Sequence, residues 1–320
     1  MNAVSVRGLE KRYGDVEAVR GIDLEVAPGE IFGFLGPNGA GKSTTIKILC
    51  TLAMPSAGEA HVAGHDVVRE RDAVRKNIGL VFQDTTLDDY LTAEQNLRFH
   101  AELYGMPSAS VKPRLQLVME MVGLWDRRGG LVQTFSGGMK RRLEIARGLL
   151  HEPQVLFLDE PTVGLDPQTR VSIWKYIREL RQRETITIFL TTHYMDEAEY
   201  CDRIAIIDNG KIVALGTPKD LKAKVCKDRV VIRTADDEAA ISALAKMGIE
   251  ATMREGAVTF GVENGESFVP RLFAELGVPI KAVSVARPSL DDVFLSFTGT
   301  TIRDREAERP SPTMMRPRRS

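Results

Sequence analysis

Residues 31–47 read Ile31-Phe-Gly-Phe-Leu-Gly36-Pro37-Asn38-Gly39-Ala40-Gly41-Lys42-Ser43-Thr44-Thr-Ile-Lys47. Ile31 to Leu35 is a short apolar run and predicts a buried strand. From Ser43 to Leu49, Ile46 and Leu49 fall on one helical face and predict a helix. Between them stands Gly36-x-x-x-x-Gly41-Lys42-Ser43, the phosphate-binding loop pattern in its strand–turn–helix setting. Such a turn aims successive backbone N–H groups into one concavity, and the helix N-terminus adds partial positive charge. Gly36, Gly39 and Gly41 are expected to let the backbone approach phosphate oxygens with no Cβ in the way. Lys42 would reach the β- and γ-phosphates, and the Ser43 hydroxyl would ligate Mg²⁺.

Around this stretch the chain has ordinary globular composition. It has 320 residues, 43% hydrophobic and 27% charged, enough for one large domain and a small one. The formal net charge of −1 gives no electrostatic reason to expect nucleic acid as a partner. Met1 to Val6 lacks the basic lead and apolar core of a signal peptide. No apolar run approaches the roughly 18–20 residues of a membrane span, so a cytoplasmic protein is expected. Cys50, Cys201 and Cys226 form no pair pattern and read as free thiols, with Cys50 a small core residue.

Upstream, Ala3 to Leu9 alternates like an edge strand, and Ile22 to Val26 predicts another before the Pro28-Gly29 turn. Tyr13, in Lys11-Arg12-Tyr13-Gly14, taken alone reads as a surface or half-core aromatic; upstream of the phosphate loop it also suits a face for an adenine ring. Downstream, Ser56 to Gly64 reads as a short hairpin. Asn77 to Phe82 is an apolar strand ending on Gln83, at the sheet end where α/β folds bind ligands. The texture then changes. Leu91 to Gly148 is helix-rich and predicts an inserted subdomain, opened by the capping box Thr92-Ala-Glu-Gln95 and continued by a helix over Val111 to Val122. Ser136-Gly137-Gly138 begins a third helix, either as a second anion site or as a plain serine cap.

Val155 to Leu158 is apolar and ends in Asp159 and Glu160. A buried strand delivering two acids implies something cationic or polar beside them. Asp159 suits a Mg²⁺ ligand, and Glu160 suits orienting and deprotonating a water. Thr185 to Leu190 predicts a further strand. His193 beyond it is either a satisfied loop histidine or a γ-phosphate contact.

In this order the motifs resemble the ATP-binding subunit of ABC transporters over roughly residues 3–225, and Arg287 to Gly299 resembles the tail of the daunorubicin-resistance exporter branch. Met139 fits that branch; Phe135, Met139 and Val163 depart from the commoner motif forms. The resemblance implies an α/β phosphate-loop ATPase core over 1–225, with a β subdomain and a helical subdomain at about 84–150. It implies ATP and Mg²⁺ as cofactors. Tyr13, Gly36, Pro37, Asn38, Gly39, Ala40, Gly41, Lys42, Ser43 and Thr44 would hold the nucleotide, with Ser136, Gly137 and Gly138 reaching it from a second copy. Ser43, Gln83 and Asp159 would hold the metal. Glu160, His193, Gln83 and Lys42 would serve catalysis, and Asp166 a dimer contact. A head-to-tail homodimer is implied, on the cytoplasmic face of the membrane and held there by a separate multi-span permease. Export of a drug or lipid-like substrate is the expected work; action on ribosomes or nucleic acid is the second reading, and a bare phosphate-loop kinase or GTPase leaves Ser136 and His193 unexplained.

Residues 226–299 predict a small α+β domain in βαββαβ, ferredoxin-like order, which by itself assigns no function. Leu290, Val293, Phe294 and Phe297 make an amphipathic helix that either caps this domain or packs elsewhere. Residues 300–320 are rich in Arg, Pro and Ser and read as disordered.

Overall fold

The computed structural model describes residues 2–184, 186–225, 227–254 and 256–298. Two compact units divide between Thr217 and Pro218. The division comes earlier than the expected boundary after residue 225, because the helix Pro218–Val225 packs within the second unit. Cys226, Thr185 and the tail over 300–320 lie outside the described residues.

The first unit opens with β1 (Val4–Tyr13), β2 (Val16–Val26), β3 (Ile31–Leu35), α1 (Lys42–Leu49), β4 (Ala57–Val62) and β5 (His65–Asp66). α2 (Arg71–Asn77) and β6 (Ile78–Val81) lead into a helical insert of α3 (Ala93–Leu103), α4 (Ser108–Met121) and α5 (Gly137–Leu149). The core resumes with β7 (Val155–Asp159), α6 (Pro167–Glu184), β8 (Thr187–Thr192), α7 (Met195–Ala198), β9 (Arg203–Asp208) and β10 (Lys211–Gly216).

β2, β1, β4 and β5 form an antiparallel sheet in that order. β1 is therefore an interior strand and not the expected edge. The expected hairpin over Ser56 to Gly64 is also displaced. Gly58, near its start, sits at an irregularity where β1 and β4 slip register between Arg7 and Glu10. There an added Cβ would meet the Gly8 carbonyl at 2.2 Å. The reversal comes at Ala63-Gly64, with φ of 49° and 83°, the double left-handed geometry of a type I′ turn.

The second sheet has the order β10-β9-β3-β8-β7-β6. β9, β3, β8, β7 and β6 run parallel, and β10 returns antiparallel. Its strands read as continuous apolar runs because both faces are covered. Phe189 of β8 stands at the centre of the core, with ring centroids 5.4 Å from Phe32, 5.7 Å from Phe34 and 5.4 Å from Phe157. Each such pair adds about 1 kcal/mol beyond the area it buries.

The insert keeps its expected start. Thr92 Oγ1 accepts the Gln95 N–H at 3.1 Å, and Gln95 Oε1 accepts the Thr92 N–H at 2.8 Å. α4 begins three residues before Val111, at Ser108.

The second unit holds α8 (Pro218–Val225), β11 (Asp228–Thr234), α9 (Asp237–Lys246), β12 (Ala251–Arg254), β13 (Ala257–Val262), α10 (Gly265–Glu275), β14 (Ile280–Ala286) and α11 (Leu290–Thr298). Its antiparallel sheet runs β12-β13-β11-β14, the ferredoxin-like arrangement. Val230, Ile232, Val258 and Phe260 form its core with Leu244 of α9 and Leu272 of α10. Leu290, Val293 and Phe294 of α11 are buried, α11 packs on α8, and Phe297 stays 43% exposed.

Candidate active site

The carboxyl ends of β3, β8, β7 and β6 lie along one edge of the parallel sheet, where open α/β folds bind ligands. β3 delivers Gly36 to Gly41, and α1 starts at Lys42 with Gly41 as its cap. The glycines are needed by the chain itself as well as by any ligand. A Cβ on Gly36 would stand 2.3 Å from the Ile207 carbonyl oxygen. Gly41 has φ +111°, and a Cβ there would meet the Ala18 carbonyl oxygen at 2.5 Å. Lys42 is buried and its ammonium donates to Gly36 O at 2.7 Å and Pro37 O at 3.2 Å. It therefore bridges the mouth of its own loop.

Across from it are the two acids. Ser43 Oγ donates to Asp159 Oδ1 at 3.1 Å. Glu160 Oε1 lies 3.1 Å from Lys42 Nζ, and Oε2 lies 3.2 Å from His193 Nδ1. The His193 contact is within ion-pair distance but lacks hydrogen-bond alignment. Burial alone would raise the Glu160 carboxyl; His193 and the Lys42 ammonium outweigh it and hold the group below its ordinary range. Glu160 also has φ +46°, a left-handed backbone that a side chain adopts at some cost.

Several supporting residues escaped the sequence reading. Arg141 of α5 is buried and donates to Pro161 O at 2.7 Å and Asp159 O at 3.1 Å, to the Phe82 carbonyl, and to Glu144 Oε2 at 3.1 Å. Its signal was present: Arg141, Glu144, Ile145 and Gly148 share a face at helical spacing. Thr191 links Asp159 Oδ1 at 2.6 Å to the Glu160 N–H at 2.9 Å. Glu197, buried on α7, accepts the Thr192 hydroxyl at 2.6 Å and that of Thr162. It thereby ties the loop after β7 to the end of β8.

The other expected residues stand further out. Tyr13 ends β1, 49% exposed, with Lys11 Nζ 4.7 Å from its ring centroid. It pairs with Val16, and Ala18 two residues on abuts Gly41, so the hairpin flanks the phosphate loop. Gln83 lies two residues beyond β6 with an exposed side chain; among the described residues it shares no hydrogen bond with the carboxylates. Ser136 caps α5, accepting the Met139 N–H at 3.3 Å, and is exposed with Gly137. Gly138 packs against α6, where a Cβ would meet Thr169 at 2.4 Å. Asp166 caps α6, accepting from the N–H groups of Gln168 at 3.1 Å and Thr169 at 3.0 Å and from the Thr169 hydroxyl at 2.5 Å. Those bonds hold its carboxyl below the usual range.

The arrangement suits phosphoryl chemistry on a polyphosphate: a cationic loop, a strand-end acid for a metal, and a second acid facing the same space. Among the described residues no three His, Cys, Asp or Glu side chains gather as a metal cage. Ser43 and Asp159 offer hard oxygen donors of the kind that hold Mg²⁺ together with nucleotide phosphates.

A family model described as "ABC transporter" matches residues 19–163, and one described as "ATP-binding protein DrrA1-3-like, C-terminal domain" matches residues 216–298. The daunorubicin resistance ATP-binding protein DrrA3 of Streptomyces coeruleorubidus is 44% identical over 95% of this chain and 98% of its own length. The linearmycin resistance ATP-binding protein LnrL of Bacillus subtilis (strain 168) is 38% identical over 94% of this chain and 100% of its own length. Among solved structures, the dimeric post-hydrolysis state of the ATP-binding cassette MJ0796, bound to ADP and Pi, superposes with TM-score 0.60 at 26% identity. It covers 67% of this chain and 98% of that one. Action on ribosomes or nucleic acid finds no support in these comparisons.

Proposed function

The chain belongs to the ABC transporter family as an ATP-hydrolysing, ATP-binding subunit of the daunorubicin-resistance type, and from that premise we propose that it drives export of an antibiotic or lipid-like molecule through a separate permease. The observation that carries the reading is the cluster of Lys42, Glu160 and the half-buried His193 at the phosphate loop.

Lys42, the loop N–H groups and the N-terminus of α1 receive the β- and γ-phosphates. Tyr13 offers its exposed ring to the adenine. Ser43 and Asp159, together with Gln83, would hold Mg²⁺, which would neutralise phosphate charge. As Lys42 turns from Glu160 to phosphate, the carboxylate loses a cationic partner and becomes a better base. Glu160 then takes a proton from the attacking water, whose oxygen bonds to the γ-phosphorus as the bond to the ADP oxygen breaks. His193 holds Glu160 in place and faces the γ-phosphate.

Ser136, Gly137 and Gly138 open a second helix N-terminus, exposed and not bonded to the phosphate loop of their own chain. Two copies arranged head to tail would each close the other's site, with ATP favoured by helix N-termini from both sides. A cleft of about 530 Å³ beside Leu52, Arg75, Phe82, His100, Leu103 and Tyr104 offers the permease a docking place. Among the described residues no helix is long and apolar enough to cross a membrane, so the substrate path is assigned to that partner. The subunit would then work at the cytoplasmic face.

Glu160→Gln tests this. It should bind ATP, accumulate as a dimer and lose turnover; tagged and drawn from detergent-solubilised membranes, it should bring a stoichiometric multi-span protein. Wild-type turnover would sink the base assignment. Ribosomes or DNA in place of a membrane protein would sink the export reading.

A further inference from the structure

We propose that Thr191 is a positioning residue for hydrolysis: its hydroxyl sets the two strand-end carboxylates, Asp159 and Glu160, relative to each other. The inference rests on the roles given above to those two acids.

Thr191 is fully buried in β8, directly opposite Asp159 in the parallel register. Its Oγ1 accepts the Glu160 backbone N–H at 2.9 Å and donates to Asp159 Oδ1 at 2.6 Å. A hydroxyl has one hydrogen, so these two bonds fix its orientation. The same Oδ1 takes the Ser43 hydroxyl at 3.1 Å, which leaves the carboxylate held by donors from two separate elements.

The peptide unit between the acids is clamped at both ends. Its carbonyl, on Asp159, accepts Arg141 Nη2 at 3.1 Å; its N–H, on Glu160, is the group Thr191 accepts. At this peptide the chain leaves β7 and enters the left-handed turn with φ +46° at Glu160. A left-handed side-chain-bearing residue persists only where its surroundings over-determine it. Here Arg141 and Thr191 do so through the backbone, while Lys42 and His193 act on the side chain. Thr192 does not substitute, because its hydroxyl donates to Glu197 instead.

Removing the Thr191 hydroxyl orphans a buried N–H and frees the Glu160 peptide to rotate. The base then loses its aim, whereas the phosphate loop that binds ATP is untouched. For Thr191→Val, which keeps the branched shape, we expect kcat to fall about 10- to 100-fold, the scale for a misplacement near 1 Å. KM for ATP should stay within about threefold, and an ATP-dependent dimer should accumulate on gel filtration as it does for Glu160→Gln. Thr191→Ser restores the hydroxyl and should return kcat to within about threefold of wild type.

Wild-type kcat in Thr191→Val, with Glu160→Gln inactive, would overturn the proposal and leave the base assignment standing. Equal loss in the serine and valine variants, or a rise in KM at constant kcat, would overturn it too. Wild-type turnover in Glu160→Gln would remove both claims. Should the valine variant not fold, Thr191→Cys, with its weak sulfur donor, takes its place under the same outcomes.

Discussion

Glu160 stands between Lys42 and His193, with Oε1 3.1 Å from the ammonium and Oε2 3.2 Å from the ring Nδ1. The Lys42 ammonium contacts both the acid and the loop carbonyls. Lys42→Ala should lower ATP affinity about 10- to 100-fold, since a hydrogen bond to a charged group contributes about 1.5–3 kcal/mol. Titration with a fluorescent nucleotide measures this, and unchanged affinity would argue against the loop as the phosphate site. Glu160→Gln should keep affinity and lose turnover, so the pair of variants separates binding from chemistry. Lys42, Ser43, Asp159, Glu160 and His193 are legible in the sequence because each sits in a fixed spacing or at the end of an apolar strand. Thr191 and Glu197 are not, and for Arg141 helical spacing marks only its face and not its partners, for a physical reason. Their roles come from register between strands and from a helix packed across the strand ends, neither of which local patterning encodes. Asp166 shows the reverse case: what the family resemblance offers as a dimer contact is, within the chain, the cap of α6.

Elements that carry their own start signal are read correctly. The capping box at Thr92 is local: two side chains and two N–H groups within four residues suffice to define it. Thr92→Ala should cost about 1 kcal/mol. For a unit of this size that corresponds to a Tm lower by about 2–4 °C, checked by thermal unfolding followed by circular dichroism. An unchanged Tm would mean that α3 is held by packing alone. The antiparallel sheet is harder to read. Gly58 signals a turn or a strand irregularity equally well, and only its crossing with Gly8 on β1 decides between them. β1 reads as an edge because it alternates, yet two strands cover its sides. In the second unit the period of each strand and helix is local, and the βαββαβ order follows directly.

At the scale of the whole molecule, the helical insert carries a pH dependence. Burial, with Arg147 and His151 nearby, pushes His100 down to about 4. The unfolded chain takes up that proton near pH 6.5. Stability from this group is therefore complete above pH 6.5 and declines as pH falls, until the folded ring itself protonates near 4. Urea midpoints followed from about pH 7.5, above the unfolded value, down to about pH 4.5, just above the folded one, should fall less steeply for His100→Phe than for wild type. Parallel slopes would exclude His100 as the source. The central sheet has a different consequence. β3 pairs with β8 and β9, whose residues follow it in the chain by about 150 positions or more. At ribosomal speeds β3 is made on the order of 10 s before either neighbour exists. During that interval Phe32 and Phe34 lack the Phe189 ring that packs between them in the finished core. A nascent chain that already contains Gly36 to Ser43 is thus not yet a nucleotide-binding protein. The neighbours that complete the sheet around the loop come late, the last of them ending at Asp208.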